Sequence, residues 1–323
     1  MTFDDVFRQY WAFGLNNITI NNSVTFNEWI KSKNDYQINS QVLKDEFIIS
    51  CYNRQAFLQP LSKDCNRFAT ACLESIIKID DLQILPKNIS WLLIKQYYSA
   101  YYAAHLILRF LGYSLSQFDS ESIKSIKQVA DLFSNLNGIS IESGYYLIDF
   151  GKNSFDINCK KIDVKKDGGS HVALWKLFGE KIRNISVDIL TKVSNPEVQP
   201  LTNQLDKLLQ NLSYVGSSDY SWLSRIRNDL NYKHIHGAWH PYDTTISCSS
   251  DILKNLQSWK NDPLTIELSN LIGKELLRFS NTCMFIISLA HTICQDMTKR
   301  CGNGKSFLNI GYSKIYNINV SGL

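Results

Sequence analysis

The chain has 323 residues, of which 44% are hydrophobic, 12% aromatic and 20% charged, and this composition excludes a disordered chain and predicts a packed globular core. The formal net charge of +4 is weakly basic, so it permits nucleic-acid binding without indicating it. The eight cysteines form no CxxC pair and the N-terminus resembles no signal peptide, so we expect reduced thiols in a cytoplasmic protein. The most apolar run, 283–294, is too short to cross a membrane, and we expect a buried helix there.

The spacing of apolar residues divides the chain into three regions. Residues 1–60 are expected to form an N-terminal helical extension, with short helices around Trp11 and Trp29 and an ambiguous segment at 41–60. Residues 61–300 are expected to form the main helical domain. Within it, helices are predicted at 66–79, 89–112, 119–135, 172–193, 197–213, 251–260 and from Pro263 to Lys299.

Two segments have the alternating pattern of β-strands. Residues 138–163 contain two alternating runs around the turn at 151–153, so we expect a β-hairpin inserted into the helical domain. Residues 301–323 also alternate, which predicts a C-terminal strand or tail that can pair with the hairpin. The predicted fold class is therefore mainly α, a helical bundle with a β-hairpin insertion and a C-terminal strand. The basic stretch at the end of the hairpin and just after it either contacts phosphates or forms a solvated loop; its lysines are Lys160, Lys161, Lys165 and Lys166.

The helix predicted at 89–112 is rich in tyrosine and alanine. Small side chains at Ala100, Ala103 and Ala104 would allow a neighbouring helix to approach closely. His105 is expected to be a buried, hydrogen-bonded histidine rather than a catalytic one. The tyrosines are expected in the core, with stacking on nucleobases as the alternative; they are Tyr97, Tyr98, Tyr101 and Tyr102.

The segment 221–241 predicts a helix that ends at Gly237 and has two different faces. A buried stripe is predicted from the i, i+3, i+7 spacing of Leu223, Ile226 and Leu230. A polar stripe is predicted from the i, i+4, i+7 spacing of Arg227, Asn231 and His234. An ordinary surface helix, in which Arg227 pairs with Asp229 or another acid, is the simpler alternative.

Arg227 and His234, with six residues between them and Asn228 after the arginine, resemble the signature of the HEPN superfamily of all-α domains. The tyrosine- and alanine-rich run at 97–112 also resembles the second helix common in HEPN domains. The resemblance implies a metal-independent endoribonuclease that works as a dimer, with the two motifs meeting at the interface. It makes Arg227 and His234 the catalytic pair and Asn228 the accompanying polar residue. It also implies products with a 2′,3′-cyclic phosphate, and a role as a toxin or an effector of antiviral defence.

These residue types suit RNA cleavage without a cofactor or metal. An imidazole can take or give a proton near neutral pH, and a guanidinium can stabilise the charge that develops on a phosphate. Asn231, chosen from helix geometry alone, can orient either group. The expected partners are an RNA substrate and either a second copy of the chain or another protein chain, with no membrane.

Other interpretations of the same residues remain open. A metal site in the cluster of His234, His236 and His240 is disfavoured, because a helix would point His234 and His236, two residues apart, in different directions and no acid lies within the cluster. His236 and His240 are expected to cap the helix or border an RNA cleft. The chain can also be a non-catalytic, HEPN-like module that binds a nucleotide or a partner, or a structural subunit of a larger complex.

Overall fold

The fold is given by a computed structural model. It describes residues 2–19, 24–39, 42–79, 89–133, 140–152, 154–166, 168–192, 196–217, 219–233, 235–239, 249–269, 271, 273–302 and 304–320, with only the backbone described at positions 133 and 320.

The protein is mostly helical, as the sequence predicts. The helices in chain order are α1 (Phe3–Phe7), α2 (Phe26–Ser32), α3 (Arg54–Ile76), α4 (Ile89–Phe110), α5 (Ser120–Phe133), α6 (Ser170–Lys192), α7 (Gln199–Leu212), α8 (Trp222–Asn228), α9 (Ser249–Lys254), α10 (Glu275–Lys299) and α11 (Tyr312–Val320). The prediction of a helix from Pro263 onward is wrong, because Pro263 begins only a short 3-10 turn. Gly273, with a φ of 70°, lies in the left-handed region before α10 begins.

The predicted β-hairpin is present, but it lies at the centre of a larger sheet. The described strands are β1 (Tyr36–Ile38), β2 (Glu46–Cys51), β3 (Tyr113–Phe118), β4 (Gly144–Asp149) and β5 (Asp156–Ile162). They pair antiparallel in the order β1-β2-β5-β4-β3. The hairpin is formed by β4 and β5, and β2 from the N-terminal region pairs with the first five residues of β5, from Glu46 opposite Lys160 to Ser50 opposite Asp156. The N-terminal extension is therefore not all helical: β1 and β2 are strands, and β2 lies in the segment 41–60 that the sequence leaves open between strand and helix.

The predicted C-terminal strand is also wrong, because Tyr312–Val320 forms α11. Its apolar residues satisfy two patterns at once: Tyr316, Ile318 and Val320 alternate as in a strand, whereas Tyr312, Ile315 and Tyr316 have the i, i+3, i+4 spacing of a helix face. All three pack against the hydrophobic core. Burial of that face decides in favour of the helix.

Three long helices, α3, α4 and α10, pack together in the core. Ala100, Ala103 and Ala104 of α4 are completely buried, which confirms that small residues allow close packing around this helix. α10 is long and apolar enough to cross a membrane, but 89% of its most apolar window is buried inside the protein. In the part of the chain that the structure describes, this helix therefore has the burial of a core helix in a soluble protein.

The N-terminal helices are part of the same packed body. Phe3 of α1 packs edge to face on Phe285 of α10, with ring centroids 5.8 Å apart. Beside this contact, Asp296 accepts hydrogen bonds from the Nε atoms of Arg8 at 2.9 Å and Arg300 at 3.0 Å. The N-terminal region is thereby joined to the central helix and, through β1 and β2, to the sheet.

Candidate functional site

The helix that carries the predicted motif has the buried stripe that its spacing predicts. Leu223, Ile226 and Leu230 are 0%, 1% and 0% exposed. After Asn228, however, the α-helix changes to a π-helical turn over Asp229–Lys233. A π-turn is wider than an α-turn, so the α-helical spacing used to place Asn231 and His234 on the face of Arg227 does not hold beyond Asn228.

The end of this helix is held by a loop that folds back on it. His236 and Gly237 both have left-handed backbone conformations, with φ of 75° and 62°, and they end the helix where the sequence predicts. The indole of Trp239 donates a hydrogen bond of 2.5 Å to the carbonyl of Leu230 and packs edge to face on Trp91 of α4. The π-turn is thus fixed against the start of α4.

The guanidinium of Arg227 lies half-buried between two tyrosines. Its two terminal nitrogens donate hydrogen bonds to Asn228 Oδ1 at 2.9 Å and to the Tyr98 hydroxyl at 2.5 Å. The guanidinium carbon is 5.5 Å from the ring centre of Tyr98 and 5.4 Å from that of Tyr232, within the range of cation–π attraction. Arg227 is therefore positioned by neutral partners.

No ion pair involves Arg227 among the residues that the structure describes. Asp229, the acid that the simpler interpretation pairs with it, instead accepts a hydrogen bond of 2.8 Å from Lys233. The Nε atom of Arg227 is buried and has no hydrogen-bond partner among the described groups. An arginine that keeps its full charge without a carboxylate is suited to binding an anion, and its planar fork matches phosphate oxygens.

His171, at the start of α6, belongs to the same cluster although no sequence motif indicates it. Its Nδ1 atom is 2.8 Å from the hydroxyl of Tyr97, which also accepts a hydrogen bond from the indole of Trp175 at 3.1 Å. The imidazole stacks on Tyr101, with ring centroids 4.2 Å apart, and contacts the ring of Tyr98 edge to face. Through Tyr98, His171 and Arg227 share one neighbour.

Burial and the positive charge of Arg227 lower the pKa of His171 to about 4. The imidazole is therefore neutral near pH 7, and burial keeps the Tyr97 hydroxyl protonated by raising its pKa. A neutral imidazole has one nitrogen that donates and one that accepts, so it can relay or position a proton without adding charge.

The structure brings together some of the predicted site residues. Arg227 and Asn228 are in direct contact, whereas no hydrogen bond of the Asn231 side chain is found among the described groups. His234 and His240 lie outside the described residues. The Nδ1 atom of His236 is 3.7 Å from Glu275 Oε2, so His236 faces the start of α10.

The remaining candidate residues are His105, the tyrosines of α4 and the four lysines of the basic stretch. His105 is buried, as expected; it stacks on Phe68 and accepts a hydrogen bond from Arg109 at 3.2 Å. Tyr97 is a core residue, but Tyr98 is half-buried and contacts Arg227. Of the four lysines, Lys160 and Lys161 lie in β5 and Lys165 and Lys166 follow it; Lys161 pairs with Glu142 at 2.6 Å and the others have side chains in solvent-exposed positions.

No group of three potential metal ligands is found among the described residues, a search that does not include His234 or His240. Comparison of the chain with protein-family models, with curated proteins and with solved structures found no match in any of the three.

Proposed function

We propose that the protein is a HEPN-like, metal-independent endoribonuclease whose site is built around Arg227. The observation that carries the proposal is the arrangement of Arg227, which is half-buried, held by Asn228 and Tyr98, and without a carboxylate partner among the described residues. The arrangement lies at a π-helical turn, a distortion often found at functional sites.

In this reaction Arg227 binds the phosphate at which the RNA is cut and stabilises the charge that develops on it. Asn228 and Tyr98 hold the guanidinium in place, which lowers the entropy lost when the phosphate binds. His234 acts as the general acid or base, as the family resemblance implies, and Asn231 remains a candidate for orienting either group. Tyr232 is 70% exposed beside Arg227 and offers a ring on which a base of single-stranded RNA can stack.

The proposal includes a second chain at this site. Exposed apolar residues surround the motif: Trp91, Tyr232 and Ile235 are 54%, 70% and 45% exposed. Such a patch suits either a second copy of the chain, related by a twofold axis, or a partner protein. Two copies would bring two Arg227 side chains to one cleft. We further propose a cytoplasmic toxin or antiviral-defence effector, in line with the resemblance.

Induced expression in cells tests the nuclease, with growth and total-RNA integrity as the readouts. We expect the wild type to fragment RNA, and Arg227→Gln and His234→Ala to leave RNA intact at equal soluble levels. Arg225→Gln is the matched control, because Arg225 lies on the same helix and, among the described residues, donates to the carbonyl of Val215 and to no group of the candidate site. Equal fragmentation by wild type and Arg227→Gln would contradict the proposal.

The exposed patch also favours a second candidate function, that of a non-catalytic module that binds a nucleotide or partner, or a structural subunit. In that case neither Arg227→Gln nor His234→Ala would change RNA integrity. Replacing Trp91 by Ser would instead abolish assembly while the monomer stays folded. Size-exclusion chromatography with light scattering measures this difference.

A further inference from the structure

A second arginine, Arg109 of α4, is buried with its charge uncompensated. It is 3% exposed, and no ion pair of Arg109 is found in the part of the chain that the structure describes. Its guanidinium donates hydrogen bonds to Nδ1 and the carbonyl of His105, at 3.2 and 3.1 Å, and to the Ser116 hydroxyl at 3.3 Å. All these partners are neutral, since burial, followed by the charge of Arg109, lowers the pKa of His105 well below its ordinary value.

An uncompensated buried charge is costly, and arginine cannot avoid the cost by losing its proton. Burial lowers the pKa of Arg109, but a guanidinium in a protein stays protonated. The nearest acid that acts on it is Asp64, whose carboxylate is already 3.4 Å from the guanidinium of Arg67. One carboxylate therefore compensates part of the charge of two guanidiniums, and the site has an excess positive charge.

Arg109 lines an open cavity of about 300 Å³, at the lower end of the size range of small-molecule sites. Arg67 also lines this cavity, with a side chain that is 59% exposed. The two guanidinium carbons lie 4.2 and 4.6 Å from the ring centre of Phe68, so both charges are held next to one ring. The wall beside them is polar and includes Asp64, the carboxylate shared by the two guanidiniums, together with Asn27, Ser116 and Gln117, the last two on β3, the outer strand of the described sheet.

We propose that this cavity binds the phosphate group of a small molecule, either inorganic phosphate or a phosphorylated metabolite, between Arg109 and Arg67. Two guanidiniums from different helices, with hydroxyl and amide donors beside them, match the several oxygens and the double charge of a phosphate. A carboxylate has only two oxygens and is satisfied by one bidentate arginine. This site is separate from Arg227, and the inference does not depend on nuclease activity.

Thermal unfolding and isothermal titration calorimetry of the full chain in chloride buffer test the proposal with inorganic phosphate, AMP and succinate. We expect a saturable rise in Tm with phosphate and with AMP, and no saturable rise with succinate. Arg67→Gln should weaken phosphate binding by about tenfold, the loss expected for a charge-assisted hydrogen bond. Arg183→Gln removes an exposed arginine outside the cavity and should leave binding unchanged.

Each remaining outcome has a defined meaning. Tighter binding of AMP than of inorganic phosphate supports a nucleotide as the source of the phosphate group, and equal binding supports the free ion. The proposal is overturned if the wild type shows no saturable response to phosphate or AMP, if succinate alone binds, or if Arg67→Gln and Arg183→Gln behave alike. Because Arg67 is largely exposed, its replacement does not threaten the fold.

Discussion

The guanidinium of Arg227 donates a hydrogen bond to the hydroxyl of Tyr98, and this contact joins the end of α8 to the middle of α4. Both residues belong to sequence patterns that are separated by more than a hundred positions. The fold places Tyr98 of the tyrosine-rich helix next to the motif arginine, so residues of the two patterns are in direct contact.

Replacing Tyr98 by Phe removes the hydroxyl that holds Arg227. A hydrogen bond to a charged group contributes roughly 1.5–3 kcal/mol, so we expect RNA cleavage to fall by about tenfold or more while the fold is kept. Tyr102→Phe is the matched control, because Tyr102 lies one turn further on α4 and the aromatic rings that it contacts among the described residues are those of Phe68 and Tyr101. Equal cleavage rates in the two variants would show that the Tyr98 contact has no role in catalysis.

The charge of Arg227 should be detectable at His171. The pKa of His171 is lowered to about 4, first by burial and second by Arg227. In Arg227→Gln we expect the pKa to rise part of the way toward its ordinary value, because only the burial contribution remains. NMR titration of the imidazole measures the shift, with Arg225→Gln as the control. An unchanged pKa would mean that the two side chains are further apart than the structure places them.

Two buried histidines, His105 and His291, and the half-buried His171 should make the protein sensitive to acid. Burial lowers the pKa of His105 and His291 as well as that of His171, with His291 at about 4. Below about pH 6.5 the unfolded chain therefore binds more protons than the folded chain does. The stability that depends on neutral imidazoles is fully present above that pH, and the free energy of unfolding decreases as the pH falls toward 4.

The His291 contribution can be isolated with a single variant. Between pH 6.5 and 4, the wild type should lose up to about 3 kcal/mol of unfolding free energy through His291, and His291→Leu should remove this loss. Urea unfolding at a series of pH values gives the slope. The assignment fails if the wild type and the variant lose stability in parallel as the pH falls.

The same substitution is expected to change the unfolding free energy in opposite directions at two buried glutamines. Both side-chain polar atoms of Gln96 are buried and have no hydrogen-bond partner among the described residues, whereas Gln204 Nε2 donates to the carbonyl of Ile266 at 2.6 Å. Gln96→Met should raise the unfolding free energy by about 1–2 kcal/mol, because a desolvated amide is replaced by an apolar chain of similar size. Gln204→Met should lower it by about 1–3 kcal/mol, because it leaves the carbonyl unpaired. Chemical denaturation of both variants tests the contrast, which disappears if the two changes have the same sign.

The sequence predicted the long helices and their buried faces because local periodicity determines them. The stripe of Leu223, Ile226 and Leu230 and the alanines of α4 are buried as expected. The hairpin of β4 and β5 was also predicted, because its strands are neighbours along the chain. The link between β2 and β5 was missed, since strands so far apart in sequence leave no local signal of their pairing.

The parts of the candidate site that were missed depend on tertiary contacts. The π-turn at Asp229–Lys233 has no established sequence signature, and the tie between Trp239 and Leu230 that accompanies it forms only in the folded chain. His171 comes shortly after the pair Gly168–Gly169 and is distant from Arg227 in the sequence, so no local pattern links the two residues. Only the packing of α6 against α4 brings His171 to the candidate site. The C-terminal segment is predicted as a strand from its alternation, although its apolar residues fit the period of a helix as well as that of a strand.

The most direct test of the central claim is cleavage of single-stranded RNA by the purified protein in the presence of EDTA. The account predicts metal-independent cleavage with 2′,3′-cyclic phosphate ends by the wild type and by Arg225→Gln, and a loss of at least about a hundredfold in Arg227→Gln. Cleavage that requires a divalent cation, or that is the same in Arg227→Gln as in Arg225→Gln, would contradict it.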